Sequence, residues 1–281
     1  MLPTFVIGLR EGLEASLIVG IIAAFLIQRG ERRALRPMWV GVGVAIGLCV
    51  AVAVVLRVIG QSLPFRQREV MEGILALLAV AGVTYMVVWM RRHSRELKGQ
   101  LEDHAEHALL VGSTVALVGM AFFAVLREGL ETAIFMLAAF GSSSDPVATG
   151  LGATLGVAVA VGLGYAIYRG GVRLNLARFF RVTGFVLVLV AAGLLSMAVH
   201  SFAEAGVVSV GQQTAVDLAW LVGPGTIRQS LITGMLGLQA APTVAEVVVY
   251  LGYAVPMSMY VLWPQRPRPM HPAPVPAVIV G

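Results

Sequence analysis

Charge is scarce in this 281-residue chain: 12% of its residues are charged, where soluble domains carry roughly 25%. Cysteine is scarcer still. Cys49 is the only one and lies inside an apolar run, which excludes an intrachain disulfide and a thiolate cluster for a soft metal. The opening residues, MLPTFVIGLREGLE, lack a basic n-region and carry charges within an apolar stretch, so a cleavable signal peptide is not expected. HExxH, a nucleophile elbow and a pair of intramembrane histidines for haem are missing too, and so is a soluble output domain, which speaks against an enzyme and against a sensor. Hydrophobic bulk is what remains, at 58% of the residues and a mean hydropathy of +0.87. A bilayer core about 30 Å thick takes about 20 apolar residues per helical span. Apolar windows predict seven spans, near Leu2 to Ile27, Met38 to Ile59, Val70 to Met90, Ala108 to Phe140, Val147 to Tyr168, Phe180 to Phe202 and Val244 to Trp263. The expected fold class is an all-α polytopic membrane protein.

A net charge of +5 and a pI near 9.9 would suggest nucleic acid in a soluble chain. Here the basic residues collect in alternate connections: Arg29, Arg32, Arg33 and Arg36; Arg91, Arg92, Arg95 and Lys98; Arg169, Arg173, Arg178 and Arg181; then Arg266 and Arg268. By the positive-inside rule these mark the cytoplasmic side, so the N-terminus is expected outside and the C-terminus inside. The basic balance is a topology signal, and no nucleic-acid partner is expected. The Pro-rich tail, 264–281, should be extended or disordered in the cytoplasm. The outer segment 205–243 is long and half apolar (DLAWLVGPG, SLITGMLGL), which suggests one or two short interfacial helices.

Self-comparison reveals a repeat of about 110 residues. LREGLEASLI (Leu9 to Ile18) matches LREGLETAIF (Leu126 to Phe135) at an offset of 117. Pro37, Gly41, Gly43 and Gly47 match Pro146, Gly150, Gly152 and Gly156 at 109, and Gly73, Gly82 and Met86 match Gly184, Gly193 and Met197 at 111. Spans one to three thus resemble spans four to six. Each unit holds an odd number of spans, so the second copy enters from the opposite side, the inverted plan in which transporters place a substrate site between halves near the midplane. The domain reading is one transmembrane domain over 1–263, with repeat A at 1–100, repeat B at 108–205 and a seventh span at 244–263. The glycines have a packing explanation of their own: Gly8, Gly12, Ser16 and Gly20 form a small-xxx-small ridge, as do Gly43 with Gly47 and Gly152 with Gly156, for close helix approach.

At about 100° per residue, Arg10, Glu11 and Glu14 project at roughly 0°, 100° and 40°, on one face with Gly12 behind them. The same holds for Arg127, Glu128 and Glu131, with Gly129 behind. At roughly 2.5–3.5 kcal/mol for each central charge, six such groups facing lipid would cost roughly 15–20 kcal/mol. They must face each other or water. Two Arg–Glu staples would use two carboxylates; the other two leave a net charge of −2 in the membrane, which takes up protons or a cation. Four carboxylates without cysteine are hard oxygen ligands suited to Mg, Ca, Mn or iron.

With both REGLE motifs, Arg10 to Glu14 and Arg127 to Glu131, in the first and fourth of seven spans, the sequence resembles the oxidase-dependent iron transporter family, which includes bacterial EfeU-type and fungal high-affinity iron permeases. The resemblance covers nearly the whole chain. It implies a multi-pass iron permease of the cytoplasmic (inner) membrane, with Glu11, Glu14, Glu128 and Glu131 as metal ligands and Arg10 and Arg127 holding and tuning them. It also implies iron as the transported substrate, no permanently bound cofactor, and extracytoplasmic partner proteins that bind or oxidise iron. The residues alone leave another hard or borderline divalent ion open, with lead or manganese as candidates.

Six acids gather on the outer side, Glu69, Glu72, Asp145, Glu204, Asp217 and Glu246, enough to concentrate cations in a vestibule. Among these, Glu72 with His200 and Glu204, an i,i+4 pair, form a candidate outer access site. Inside, EDHAEH supplies a candidate exit cluster of Glu102, Asp103, His104, Glu106 and His107, although a solvated helix start explains it equally well.

Overall fold

The computed structural model describes residues 1–28, 30–93, 114–141, 143, 145–168, 175–215 and 241–263. Among these, seven α-helices run in the order α1 Leu2–Gln28, α2 Leu35–Ser62, α3 Phe65–His93, α4 Thr114–Gly141, α5 Pro146–Tyr168, α6 Leu176–Glu204 and α7 Val244–Leu262. Six are long and apolar enough to cross a membrane, and the chain is a polytopic helical membrane protein. The other one, α4, has the length, 28 residues, but every 18-residue stretch of it contains Arg127, Glu128 and Glu131. Helices are the expected answer in lipid, because they satisfy backbone groups within one segment.

Several helices run past the apolar windows read from sequence. The third begins at Phe65 rather than Val70 and the sixth at Leu176 rather than Phe180, since backbone hydrogen bonding continues through polar residues where hydropathy stops. Two helix starts carry side-chain caps. Asn175 accepts from the Arg178 amide. Thr243 and Glu246 form a reciprocal capping box on α7. Arg66 Nε donates to the Ala205 carbonyl at 2.9 Å, tying the start of α3 to the end of α6. Of the segment 205–243, the described ends form turns with Gly206 and Gly211 at φ 71° and 75°, and an isolated bridge joins Thr214 to Thr243. The expected interfacial helices, the Pro-rich tail and the inner EDHAEH cluster lie outside the described residues.

The helices pair crosswise: α1 with α5, α2 with α4, and α3 with α6, with α7 laid against α6. The most buried span is α6, and α2 is the least buried, its Val40, Val44, Leu48 and Val55 turned outward. One apolar core centres on α3 and α6 (Val83, Leu187, Val188, Ala191) and takes in Phe135 of α4. A second joins α1, α2 and α4 through Ile22, Leu26, Met38, Ala45 and Ala121.

Small residues set the closest approach. A Cβ at Gly8 would stand 2.7 Å from the Ala153 carbonyl oxygen, and one at Gly12 2.9 Å from Ala160 Cβ. From the other side, a Cβ at Gly152 or Gly156 would run into the carbonyls of Met1 or Phe5, and one at Gly164 into the Ser16 hydroxyl. Across α2 and α4, Gly129 rests on Cys49 as Gly12 rests on Ala160, and Gly41 faces Val118 as Gly152 faces Met1. The expected ridge at Gly43 and Gly47 makes no close approach: among the described residues nothing lies within 4 Å of a Cβ at either, nor at Gly20. Cys49 and Ala160, Gly41 and Gly152, and the helix starts Leu35 and Pro146 are all 111 residues apart. By contact spacing, fully buried Ala45 is the counterpart of Gly156, where matching glycines at 109 had paired Gly47 with it. Alanine is small enough to serve there, so glycine matching alone misleads.

Candidate metal centre

Both REGLE motifs fall in the central turns of long helices, α1 and α4, which pack against each other. Gly12 and Gly129 turn toward α5 and α2, so the charged face of each helix points the other way. Within each motif the arginine reaches one turn along its own helix. Arg10 Nε donates to Glu14 Oε1 at 3.2 Å, and Arg127 Nε donates to Glu131 Oε1 at 3.1 Å, with Glu128 Oε1 3.9 Å away. The i,i+4 spacing puts both partners of each pair on one helical face. They leave the first glutamate of each motif free to point across the helix interface. There Glu11 meets Glu128 and Glu131, one carboxylate oxygen from each, all within 4.8 Å of one another. This is the one group of three or more potential ligands that meets this spacing among the described residues.

Burial makes the cluster costly without a counter-charge. Arg10 is 0% exposed, Glu11 1%, Glu128 6% and Glu14 8%. Both oxygens of Glu11 and both terminal nitrogens of Arg10 are buried without a hydrogen-bond partner; the Arg10 guanidinium carbon lies 5.8 Å from the centre of the Phe180 ring. Unpartnered buried polar groups cost roughly 1–3 kcal/mol each, more when charged. Three convergent carboxylates repel one another, and a hard cation relieves that repulsion while giving Glu11 its missing partner. The second motif differs although its letters are identical. The Arg127 side chain is 53% exposed and Glu131 25%. Sequence reasoning expected four ligands; the structure brings Glu11, Glu128 and Glu131 within 4.8 Å of one another, and Glu14 bonds to Arg10.

At the opposite ends of α3 and α6, the candidate access residues divide. His200 and Glu204 do meet, at 3.4 Å. Glu72 is held instead by Arg68, at 2.8 Å, an ion pair one turn apart. A residue not chosen from sequence completes the group: Glu246 of α7, 2% exposed, accepts at 3.0 Å from or donates to His200 Nδ1. Its place among the outer acids was visible, but the contact joins residues 46 apart in the chain. Because Glu246 also closes the capping box, Glu246→Ala removes a cap and a buried hydrogen bond, together worth about 2 kcal/mol. The expected result is a lower melting temperature of purified protein, with a smaller change for Glu204→Ala on the exposed side of the imidazole.

Set against known proteins, the chain matches the model of the iron permease FTR1 family over residues 1–266. The chain belongs to that family. It is 42% identical over 268 residues to the ferrous iron permease EfeU of Escherichia coli O6:H1, covering 95% of this chain and 97% of that protein. Ferrous iron permease EfeU of Yersinia pestis is likewise 42% identical, with 95% of each chain covered. The Shigella sonnei EfeU gives 42% over the same length, with 97% of it covered. No solved structure matches.

Proposed function

We propose that this protein is a permease that carries ferrous iron across the cytoplasmic membrane through a carboxylate site between α1 and α4. The observation that carries the reading is the convergence of Glu11, Glu128 and Glu131, with the buried Glu11 carboxylate lacking any partner of its own. Ferrous iron as cargo is supported by the similarity to ferrous iron permeases and by charge: four motif glutamates against two arginines leave −2, which a divalent ion neutralises. Hard oxygen ligands suit such an ion. Glu14, one turn from Glu11 on the same helix, is held by Arg10 in this arrangement.

The inverted arrangement of repeats A and B is supported by the crosswise helix pairing and by the equivalent contacts of Gly12 and Gly129. Such halves place a site at their interface near the midplane and open it to each side in turn. The alternate basic connections support an outside N-terminus and an inside C-terminus. Under that orientation His200, Glu204 and Glu246 lie at the outer end, where they attract cations. Partner proteins that deliver or oxidise iron would act there, a reading supported by the family resemblance alone.

The test is iron uptake by cells or proteoliposomes carrying Glu128→Gln, with the variant's presence in the membrane verified. Loss of a direct ligand is expected to exceed the 10–100-fold effect of losing an outer-shell partner, so uptake should fall by about 100-fold. Uptake at the parental rate would overturn the ligand assignment. Competition by manganese and lead in the same assay checks the cargo.

A further inference from the structure

We propose that the four motif glutamates have unequal roles: Glu11 and Glu128 hold the ion throughout, while Glu131 and Glu14 take turns as the third ligand. This rests on the carboxylate site proposed above and goes beyond it by assigning an order of use. The exchange that relates the motifs maps Glu11 onto Glu128 and Glu14 onto Glu131, at the offset of 117. The observed trio of Glu11, Glu128 and Glu131 is not symmetric under it. Its image is Glu11, Glu128 and Glu14. Two members are common to both sets and one is exchanged.

Pairing with arginine does not account for the difference. Glu14 and Glu131 make the same Nε to Oε1 bond, at 3.2 and 3.1 Å, yet Glu131 joins the trio and Glu14 stays out. Local sequence does not account for it either, because REGLE is the same in both helices. What differs is the setting. The Arg10–Glu14 pair is sealed, at 0% and 9% side-chain exposure, and the Arg127–Glu131 pair is open, at 53% and 25%. The third ligand therefore comes from the open side.

The sealed side also holds unused capacity. Arg10 Nη1 and Nη2 and both Glu11 oxygens are buried without partners, so this arrangement leaves donors and acceptors that a different packing of the same helices would satisfy. When the sealed side opens and the open side closes, the exchange brings Glu14 to the ion and withdraws Glu131. Two shared carboxylates keep the ion ligated during the switch, which avoids exposing a bare charge in a low-dielectric interior. Glu131 is then needed to bind the ion in the state described here, and Glu14 to carry it on.

The experiment separates binding from transport. Manganese or anaerobic ferrous iron is titrated into purified protein, and uptake is measured in proteoliposomes. Glu131→Gln is expected to weaken binding by about 100-fold, the scale of a lost direct ligand. Glu14→Gln should bind within about threefold of the parental protein, under 1 kcal/mol, while uptake falls at least about tenfold. Because Glu14→Gln alters the partner of a buried arginine, the double variant Arg10→Gln/Glu14→Gln, which keeps the net charge, is tested beside it, and the same split is expected. Binding weakened as much by either Glu14 variant as by Glu131→Gln, or transport by both at the parental rate, would overturn the proposal. A parental protein that binds neither metal would instead overturn the carboxylate site itself.

Discussion

Arg10→Met is expected to destabilise the protein by about 3–5 kcal/mol, the usual cost of removing one partner from a buried ion pair, whereas Arg127→Met should cost about 1 kcal/mol or less, as exposed pairs do. The two arginines occupy the same place in the same five-letter motif. Arg10 is 0% exposed and holds a Glu14 side chain that is itself 9% exposed, beside a Glu11 with no other support. Without the guanidinium, the Glu14 carboxylate stays buried beside Glu11 and loses its hydrogen-bonded partner. Arg127 has a 53% exposed side chain, so its pairing with Glu131 and Glu128 is not enclosed by neighbouring helices as that of Arg10 is. Methionine keeps approximate length and apolar packing in both cases, which isolates the charge. Melting temperature and the monodisperse fraction of each purified variant read the difference. Equal losses would mean that the motif, and not its burial, sets the energetics.

Gly156→Ala should be nearly as damaging, at about 2–3 kcal/mol, the upper range for forcing extra volume into a packed interior. The added Cβ would strike the Phe5 carbonyl and come 2.8 Å from the Leu9 nitrogen, both backbone atoms of α1 that cannot rotate aside. The helices must separate along the contact that also seats Gly8 and Gly12, and α1 carries Glu11 with it. Uptake should therefore fall together with stability. Gly47→Ala supplies the control. Among the described residues nothing lies within 4 Å of its Cβ, and alanine relieves the roughly 1 kcal/mol helix penalty of glycine. That variant should be neutral or slightly more stable in the same melting assay. Comparable damage from both would refute the contact register in which Gly41, and not Gly43, is the counterpart of Gly152.

Much of this was legible in the amino-acid order. Seven apolar stretches predict the helices to within a few residues, because lipid leaves a span almost no alternative to helix. REGLE twice in such stretches marks the central charges, since no membrane protein carries six of them without a use. The i,i+4 pairing of each arginine follows from helical spacing alone. Less was legible wherever a contact crosses between helices. Glu72 looked like a neighbour of His200 by depth in the membrane, but one turn of its own helix offered Arg68 first. Glu246 was one outer acid among six until the packing of α7 on α6 laid it against His200.

By itself, then, the order of residues determined that this chain lives in a bilayer, where the seven long helices of the described residues fall, and that two identical charged turns stand within two of them. Periodicity and hydropathy act along one segment, so reading one segment at a time suffices. Tertiary structure alone decided that Glu11 is turned to Glu128 and Glu131 while Glu14 is not, and that one arginine is sealed and its twin is open. Two copies of one motif cannot carry that difference in their letters; it arises from which neighbouring helices close over each copy.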